Sequence, residues 1–425
     1  MDVLKNRNFI LLWIAQCISS AGDSFTFLAL TIKINDFYTD AGASARAIGL
    51  VLIAFALPQL VLGIFAGTLV DRWDRKRIMI LSDVLRVLII PSFILIRSSA
   101  DLPLACVIAF LASSFSVFFY PARTALLPVM VPEDQLMTAN GWMQMGNTIA
   151  KLTGPVLAGI VVSQWGSDVA FGIDAASFLV SAALLVAIRG LATRVAKNAK
   201  ESQSTWEGIK EGIRYATGSR LLQGVTMGIS IAMLGLGAVN VLFVPFLRHI
   251  FQAPIEALGG LEAAQGAGMF VGGLLIGTLG KRLRPLLVAV LAMLLLGISV
   301  GLFGFAPAYT YAFILLPLAG FTLPPINASL QTMLQRGVPN EILGRAGSVM
   351  DMAISIANLF SMGVAGWMGD LIGLRETFIL SGIMLSLGGL AMGAILRKEQ
   401  DIPMEDAGLP EEEPYVVNEL PLTAD

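Results

Sequence analysis

Apolar residues run along this chain in long blocks separated by short polar breaks, and the blocks have the length of membrane-crossing helices. A helix rising 1.5 Å per residue needs about 20 apolar residues to cross a hydrocarbon layer roughly 30 Å thick. Blocks of that length, with polar interruptions allowed, lie at 9–35, 47–70, 77–96, 103–122, 138–162, 169–188, 221–247, 257–280, 286–304, 308–332, 345–369 and 374–396. The pattern therefore predicts twelve transmembrane helices, an all-α polytopic membrane protein. Backbone groups in lipid must be satisfied within the segment, which leaves helices as the structure for runs this long. The apolar run after Lys5 and Arg7 is long and has no small-residue cleavage pattern, so no cleavable leader is expected.

Composition agrees with the pattern. Of 425 residues, 56% are hydrophobic and 14% charged, with a mean hydropathy of +0.77. Soluble domains run near 45–50% apolar with about a quarter charged. Two cysteines (Cys17, Cys106) and one histidine (His249) offer no disulfide framework and no histidine-based metal site, and make a Ser-His-Asp hydrolase improbable. With no nucleophile–base pair and no metal cluster in the pattern, an enzyme is not expected, and no cofactor is implied. No Walker-type phosphate loop is present, so the energy source expected is an ion gradient, the proton gradient first.

Charge placement fixes the predicted topology. With the N-terminus on the cytoplasmic side, the loops on that side hold 21 of the 28 basic residues, and the opposite loops hold Arg46, Arg97, Arg248 and Arg375. Such a bias across short loops marks the cytoplasmic face, so both termini are expected inside a bacterial plasma or inner membrane. Residues 1–189 read as an N-terminal six-helix bundle and 221–397 as a C-terminal one. The linker at 190–220 contains a short amphipathic stretch from Trp206 to Tyr215. The tail at 398–425 has nine acidic residues and no basic residue after Lys398, and is expected to be disordered.

The halves repeat at an offset near 207–210. Gly67-Thr68-Leu69 recurs as Gly277-Thr278-Leu279, Val131-Pro132 as Val338-Pro339, and the pair Gly159 and Gly166 as Gly366 and Gly373. Duplicated helical halves are the usual architecture of alternating-access carriers, in which one half rocks against the other around a central site.

Between the second and third helices the chain reads Gly67-Thr68-Leu69-Val70-Asp71-Arg72-Trp73-Asp74-Arg75-Lys76-Arg77. This resembles the signature of the major facilitator superfamily, with Asp74 where the family pattern usually has glycine. Asn6-Arg7-Asn8-Phe9, Leu12-Trp13, Gly22-Asp23, Pro121-Ala122-Arg123, Leu127-Pro128, Ala139-Asn140 and Ile173-Asp174-Ala175 resemble the drug:proton antiporter branch that includes macrolide, enterobactin and lysophospholipid carriers. Gly154-Pro155 with Gly159 partly resembles the antiporter motif of the fifth helix. The resemblance implies the major facilitator fold and a gate at the loop motif. There Gly67 would allow close helix approach, Asp71 would face the N-terminal end of the eleventh helix, and Arg72 and Arg75 would join a charge network. Lys76 and Arg77 are either part of it or simply a topology signal. In the second half Lys281 stands in the place of Asp71, so one dominant network is expected.

Ionisable residues inside spans are costly and by default face a cavity or a partner. Asp23, among Ser19, Ser20, Gly22 and Ser24, is the first candidate for proton coupling or cation recognition; pairing with Lys33 or Lys151 is its structural alternative. Asp83 and Arg86 share a face three residues apart and are expected to serve structure or gating in the cytoplasmic third of their helix. Lys151, four residues after Asn147, either binds an anionic group or neutralises an acid. Asp174 reads as a capping or packing residue near the outer end of the sixth helix. Glu262, three residues before Gln265, lines an outer cavity or sits at the interface. Asp351, inside its span, is a further candidate for coupling or cargo recognition and could cooperate with the Asp71 lock. Aromatic residues such as Phe27 and Phe119 could contribute to a cargo surface, although for any single one packing or lipid contact is the commoner role.

Together these readings predict a secondary active transporter. The cargo expected is small amphiphilic molecules such as drugs or macrolides, exported against protons; siderophore export or lysophospholipid transport is the alternative. Its partners are that substrate, protons and membrane lipids, with no nucleic acid, and the resemblance implies a monomer.

Overall fold

Asn6 starts the first helix: its side-chain oxygen accepts from the backbone N–H groups of Asn8 and Phe9 at 3.0 and 3.3 Å, closing two of the donors a helix start leaves open. From there a computed structural model describes residues 2–132, 135–189, 205–279 and 283–397. Among them it places thirteen α-helices and no strand. The first six are α1 (Arg7–Asn35), α2 (Ala41–Arg72), α3 (Arg75–Ile89, continued by a 3₁₀ segment to Leu95), α4 (Leu102–Met130), α5 (Leu136–Trp165) and α6 (Ser167–Ala187). A short α7 (Thr205–Gly218) follows. The last six are α8 (Arg220–Pro245), α9 (Ile255–Leu279), α10 (Pro285–Phe305), α11 (Ala312–Gly337), α12 (Asn340–Ile372) and α13 (Leu374–Leu396).

A long helix stands at each of the twelve expected positions. Ten are long and apolar enough to cross a membrane by length and composition. The two left out, α1 and α9, are diluted by polar residues within their length, Gln16, Ser19, Ser20, Asp23 and Ser24 in one and Glu262 and Gln265 in the other. The amphipathic stretch expected before the second half is α7, which packs on α12 and α8 through Tyr215 and Ala216. Residues 190–204 and the acidic tail from 398 lie outside the described residues, as do the side chains of Gly67, Asp71 and Arg72.

The two halves pack alike. α1 lies on α5 and α6, α2 on α4, and α3 on α4 and α6; in the same order α8 lies on α12 and α13, α9 on α11, and α10 on α11 and α13. The repeat is visible in the backbone too. Gly166 and Gly373, at φ +83° and +97°, end the fifth helix of each half and turn the chain into the sixth. Only glycine takes that conformation without strain.

The halves meet along α2–α12 and α5–α9. These seams gather at the end remote from the termini. There a Cβ on Gly159 would lie 2.8 Å from Gly259 Cα, and one on Gly49 would lie 3.0 Å from the Met362 carbonyl. The pairs Arg46–Asp370 and Asp36–Arg248 (3.4 Å) join the halves at the same end. At the end that carries both termini, a Cβ on Gly141, Gly277 or Gly347 would meet nothing within 4 Å. There a separate apolar cluster, built from first-half residues such as Phe9, Met79 and Leu126, is not continuous with the main core. The molecule is thus latched at one end and parted at the other.

Candidate functional site

The parted halves leave a cavity of about 460 Å³ midway along the helices, within the usual range for small-molecule sites. Most of its wall is first-half residues; Glu262 on α9 comes from the second half. Apolar surface from Phe27, Leu28, Phe55 and Ile90 alternates with a polar strip along α1. Two glycines bring that strip into register. A Cβ on Gly22 would lie 2.5 Å from Asp174 Oδ1, and one on Gly154 would lie 2.6 Å from Ser24 Oγ. Their lack of a side chain lets α6 and α5 press directly on α1.

The strip centres on an ion network. Arg86 Nη2 donates to Asp83 Oδ1 at 2.7 Å, and both residues are buried. Ser181 Oγ donates to Asp83 Oδ2 at 2.6 Å, so the carboxylate is held from α3 and α6 together. The guanidinium lies 4.0 Å from the Phe178 ring centroid and 5.4 Å from that of Phe119, stacked where its planar face suits an aromatic partner. Its other end reaches the cavity, where Nη1 stands 4.0 Å from Asp23 Oδ1. The Asp23 side chain is 61% exposed to that space, against 0% for Asp83. One cation therefore serves a buried acid and an acid open to the cavity. A cluster of this kind lets protonation of the open acid change the charge of the wall while the buried pair stays in place.

Asp174 lies beside this network. Thr26 Oγ1 donates to its Oδ2 at 2.5 Å and Ser177 Oγ to its Oδ1 at 3.2 Å, and the residue is fully buried at the cavity wall. Of the capping and packing roles the sequence offers it, the structure has the second: its side chain packs against α1. The signal that could have found it is Gly22, which only makes sense if another helix presses there.

Lys151 on α5 and Glu262 on α9 line the same cavity, and neither has an ion pair or hydrogen bond among the described residues. Lys33 is engaged elsewhere, at 2.6 Å from Asp168 Oδ1, so neither lysine pairs with Asp23. Arg86 lines the cavity, and Asp83 stands behind it, fully buried. Asp351 is exposed on α12 and is not part of the cavity wall.

A family model described as transmembrane secretion effector, a branch of the major facilitator superfamily, matches residues 2–419. The chain belongs to that family. Its relatives are transporters and not enzymes. The chain is 29% identical over 397 residues to the MFS-type transporter YfiS of Bacillus subtilis, covering 91% of this chain and 92% of that one. It is 26% identical over 385 residues to macrolide efflux protein A of Streptococcus pyogenes, covering 89% and 93%. Among solved structures, a bacterial homologue of the iron transporter ferroportin superposes with a TM-score of 0.74 at 14% identity, covering 92% of this chain and 98% of that one. The facilitator fold expected from the sequence is therefore the fold of this multi-pass membrane carrier.

Within the family's loop signature, Asp74 takes the N-cap of α3, its Oδ1 accepting from the Arg77 backbone N–H at 3.1 Å. That gives the residue a local use where the family pattern has glycine. Lys76 Nζ donates to the Val186 and Ile188 carbonyls at 3.1 and 2.7 Å, closing the C-terminal end of α6. Arg77 is exposed and stands 3.8 Å from Asp74. Arg75 Nε is buried without a hydrogen-bond partner among the described residues. The Asn6-Arg7-Asn8-Phe9 string is a clamp as well as a cap: Asn6 Nδ2 donates to the Met130 carbonyl at 2.7 Å and Asn8 Nδ2 to the Arg189 carbonyl at 2.8 Å.

Proposed function

We propose that this carrier exports small amphiphilic molecules in exchange for protons, with Asp23 as the coupling acid. The observation that carries the reading is the shared guanidinium: Arg86 holds Asp83 at 2.7 Å inside the protein and faces Asp23 at 4.0 Å across the open cavity. With Asp23 ionised, the wall balances Arg86 between two acids and keeps a carboxylate available to attract cationic cargo. A proton arriving on Asp23 removes that attraction and leaves Arg86 to Asp83, favouring release. The basic loops lie at the parted end, and the excess of Lys and Arg there supports reading that end as the cytoplasmic one. Cargo would then load from inside, and the proton would arrive after the latched end opens to the exterior. One proton moving down a potential of 100 mV supplies about 2.3 kcal/mol, enough for more than a tenfold cargo gradient at about 1.4 kcal/mol per decade. Efflux as the direction is supported by the likeness to macrolide efflux protein A. A single chain holds the complete cavity, which supports action as a monomer.

The test is transport by purified protein in liposomes with an acidic lumen, so that protons run outward, with a macrolide and other amphiphilic drugs as cargo supplied outside. Gradient-driven accumulation should be lost in Asp23→Asn while downhill exchange of cargo persists. Equilibrative transport indifferent to both gradient and mutation, with no accumulation, would make the protein a facilitator and return Asp23 to a structural role.

A further inference from the structure

The ion network leaves two charges over. Asp83 and Arg86 pair with each other, Asp23 leans on Arg86, and Asp174 is held by two hydroxyls. Lys151 and Glu262 line the same cavity with no partner among the described residues. They have opposite signs and belong to opposite halves of the molecule. An ionised group held in a membrane protein without a partner is expensive. Two of them facing one cavity make sense if a ligand completes both.

We infer that Lys151 and Glu262 form a clamp for amphiphilic zwitterions, Lys151 taking the ligand's anionic group and Glu262 its amine. The inference rests on the reading of the cavity as the cargo site, and not on how transport is coupled.

The register of the two helices sets the span. α5 and α9 cross antiparallel, since Gly159 meets Gly259 and, a turn or two along, Leu152 meets Gly266. Glu262 therefore stands level with about residue 156, roughly 7.5 Å along the axis from Lys151. Side chains lean toward the start of their own helix, so these two lean apart, and the charges they present are on the order of 10 Å from each other. An α-amino acid is too short to reach both. A drug-sized zwitterion with its charges at opposite ends of a flat apolar body fits, with Phe27 and Phe55 along the same wall for that body. A ligand bridging both charges also ties the two halves together, so a molecule with only one of the charges should bind more weakly and move more slowly.

Three probes separate these features: norfloxacin, which carries a carboxylate and a distal ammonium, its ethyl ester, which keeps only the cation, and its N-acetyl derivative, which keeps only the anion. Equilibrium binding to purified full-length protein should favour the zwitterion over either derivative by at least tenfold. Lys151→Gln should erase the preference over the ester and leave the preference over the N-acetyl compound. Glu262→Gln should do the reverse, and Lys151→Arg and Glu262→Asp should keep most of both. Equal binding of the three probes to the wild type, no binding of any of them, or a ranking that survives both Gln variants would overturn the clamp. The same ranking without gradient-driven transport would leave the clamp standing and remove the proton-coupling reading.

Discussion

Arg86 is the residue on which most of the site's charge depends, and its surroundings explain why a lysine would not replace it. Its guanidinium spreads over the Phe178 ring at 4.0 Å, donates to Asp83 at one end and faces Asp23 at the other, a reach that needs a planar fork. Removing one member of a buried pair leaves the other charge without compensation, at about 3–5 kcal/mol. Asp83→Ala should therefore lower the thermal midpoint in detergent strongly, and Asp83→Asn, which keeps an acceptor for Ser181, should lower it less. Because Arg86 can turn toward Asp23 when Asp83 is neutral, the double variant Asp83→Asn/Asp23→Asn should lose more than the two single losses added. Strict additivity in that cycle would mean that the guanidinium is not shared. The charged residues of the cavity were legible in the sequence because an ion inside an apolar block stands out against its neighbours. Their partners were not. Ser177 and Ser181, three and seven residues after Asp174, mark a polar face on α6, but nothing in the sequence says which helices that face meets, and the pairing of Lys33 with Asp168 joins residues far apart in the chain.

At the level of helices, the glycines of the repeat divide the work between turning the chain and joining the halves. Gly166 and Gly373 end equivalent helices with positive φ. Seven residues earlier, Gly159 meets Gly259 of α9, and Gly366 meets Arg46 of α2. The same spacing in both halves was readable as a repeat, but that its first glycine faces the opposite half and its second a turn emerges only when the helices are packed. A Cβ on Gly159 has backbone in its way, which does not yield as a side-chain tip would, and such overpacking costs typically 1–3 kcal/mol. Gly159→Val should therefore disfavour the latched arrangement. In a background with Cys17 and Cys106 replaced, a cysteine at Met362, buried near Gly49 on the α2–α12 seam, reports the change. It should react with a membrane-impermeant maleimide only when Gly159→Val is present. Gly172→Val is the control, since a Cβ there meets nothing within 4 Å. Equal labelling in the two variants would sink the assignment of Gly159 to the seam.

Across the whole molecule, polar contacts bind the halves at the latched end and leave the other end free to part. Arg46 pairs with Asp370 and lies 6.0 Å from the Trp367 ring, Arg248 reaches Asp36 at 3.4 Å, and His249 Nε2 lies 3.1 Å from Asn35 Oδ1. Arg248 and His249 both sit on a π-helical turn at the end of α8, Phe246–Ile250, so a single irregular turn presents both to the first half. These ions are partly exposed, 38% and 31% for Arg46 and Asp370, and each bridge of that kind contributes roughly 0.2–1 kcal/mol. One alone shifts the balance between arrangements a few-fold, whereas losing two approaches the 1.4 kcal/mol that makes a decade. Spin labels at Ala41→Cys on α2 and Leu371→Cys on α12, again without the native cysteines, would follow the latched end by distance measurement. Asp370→Asn with Arg248→Gln should add a longer-distance population. High salt should act in the same direction on the wild type, since screening weakens exposed pairs. The exchange Arg46→Asp with Asp370→Arg restores the pair with its signs reversed and should return the short distance. If the double-neutral and the exchanged proteins give the same distribution as the wild type, then the apolar seams alone set the balance and the ion pairs are bystanders. A larger shift than two exposed bridges can supply would instead mean that Asn35 and His249 act with them as one unit.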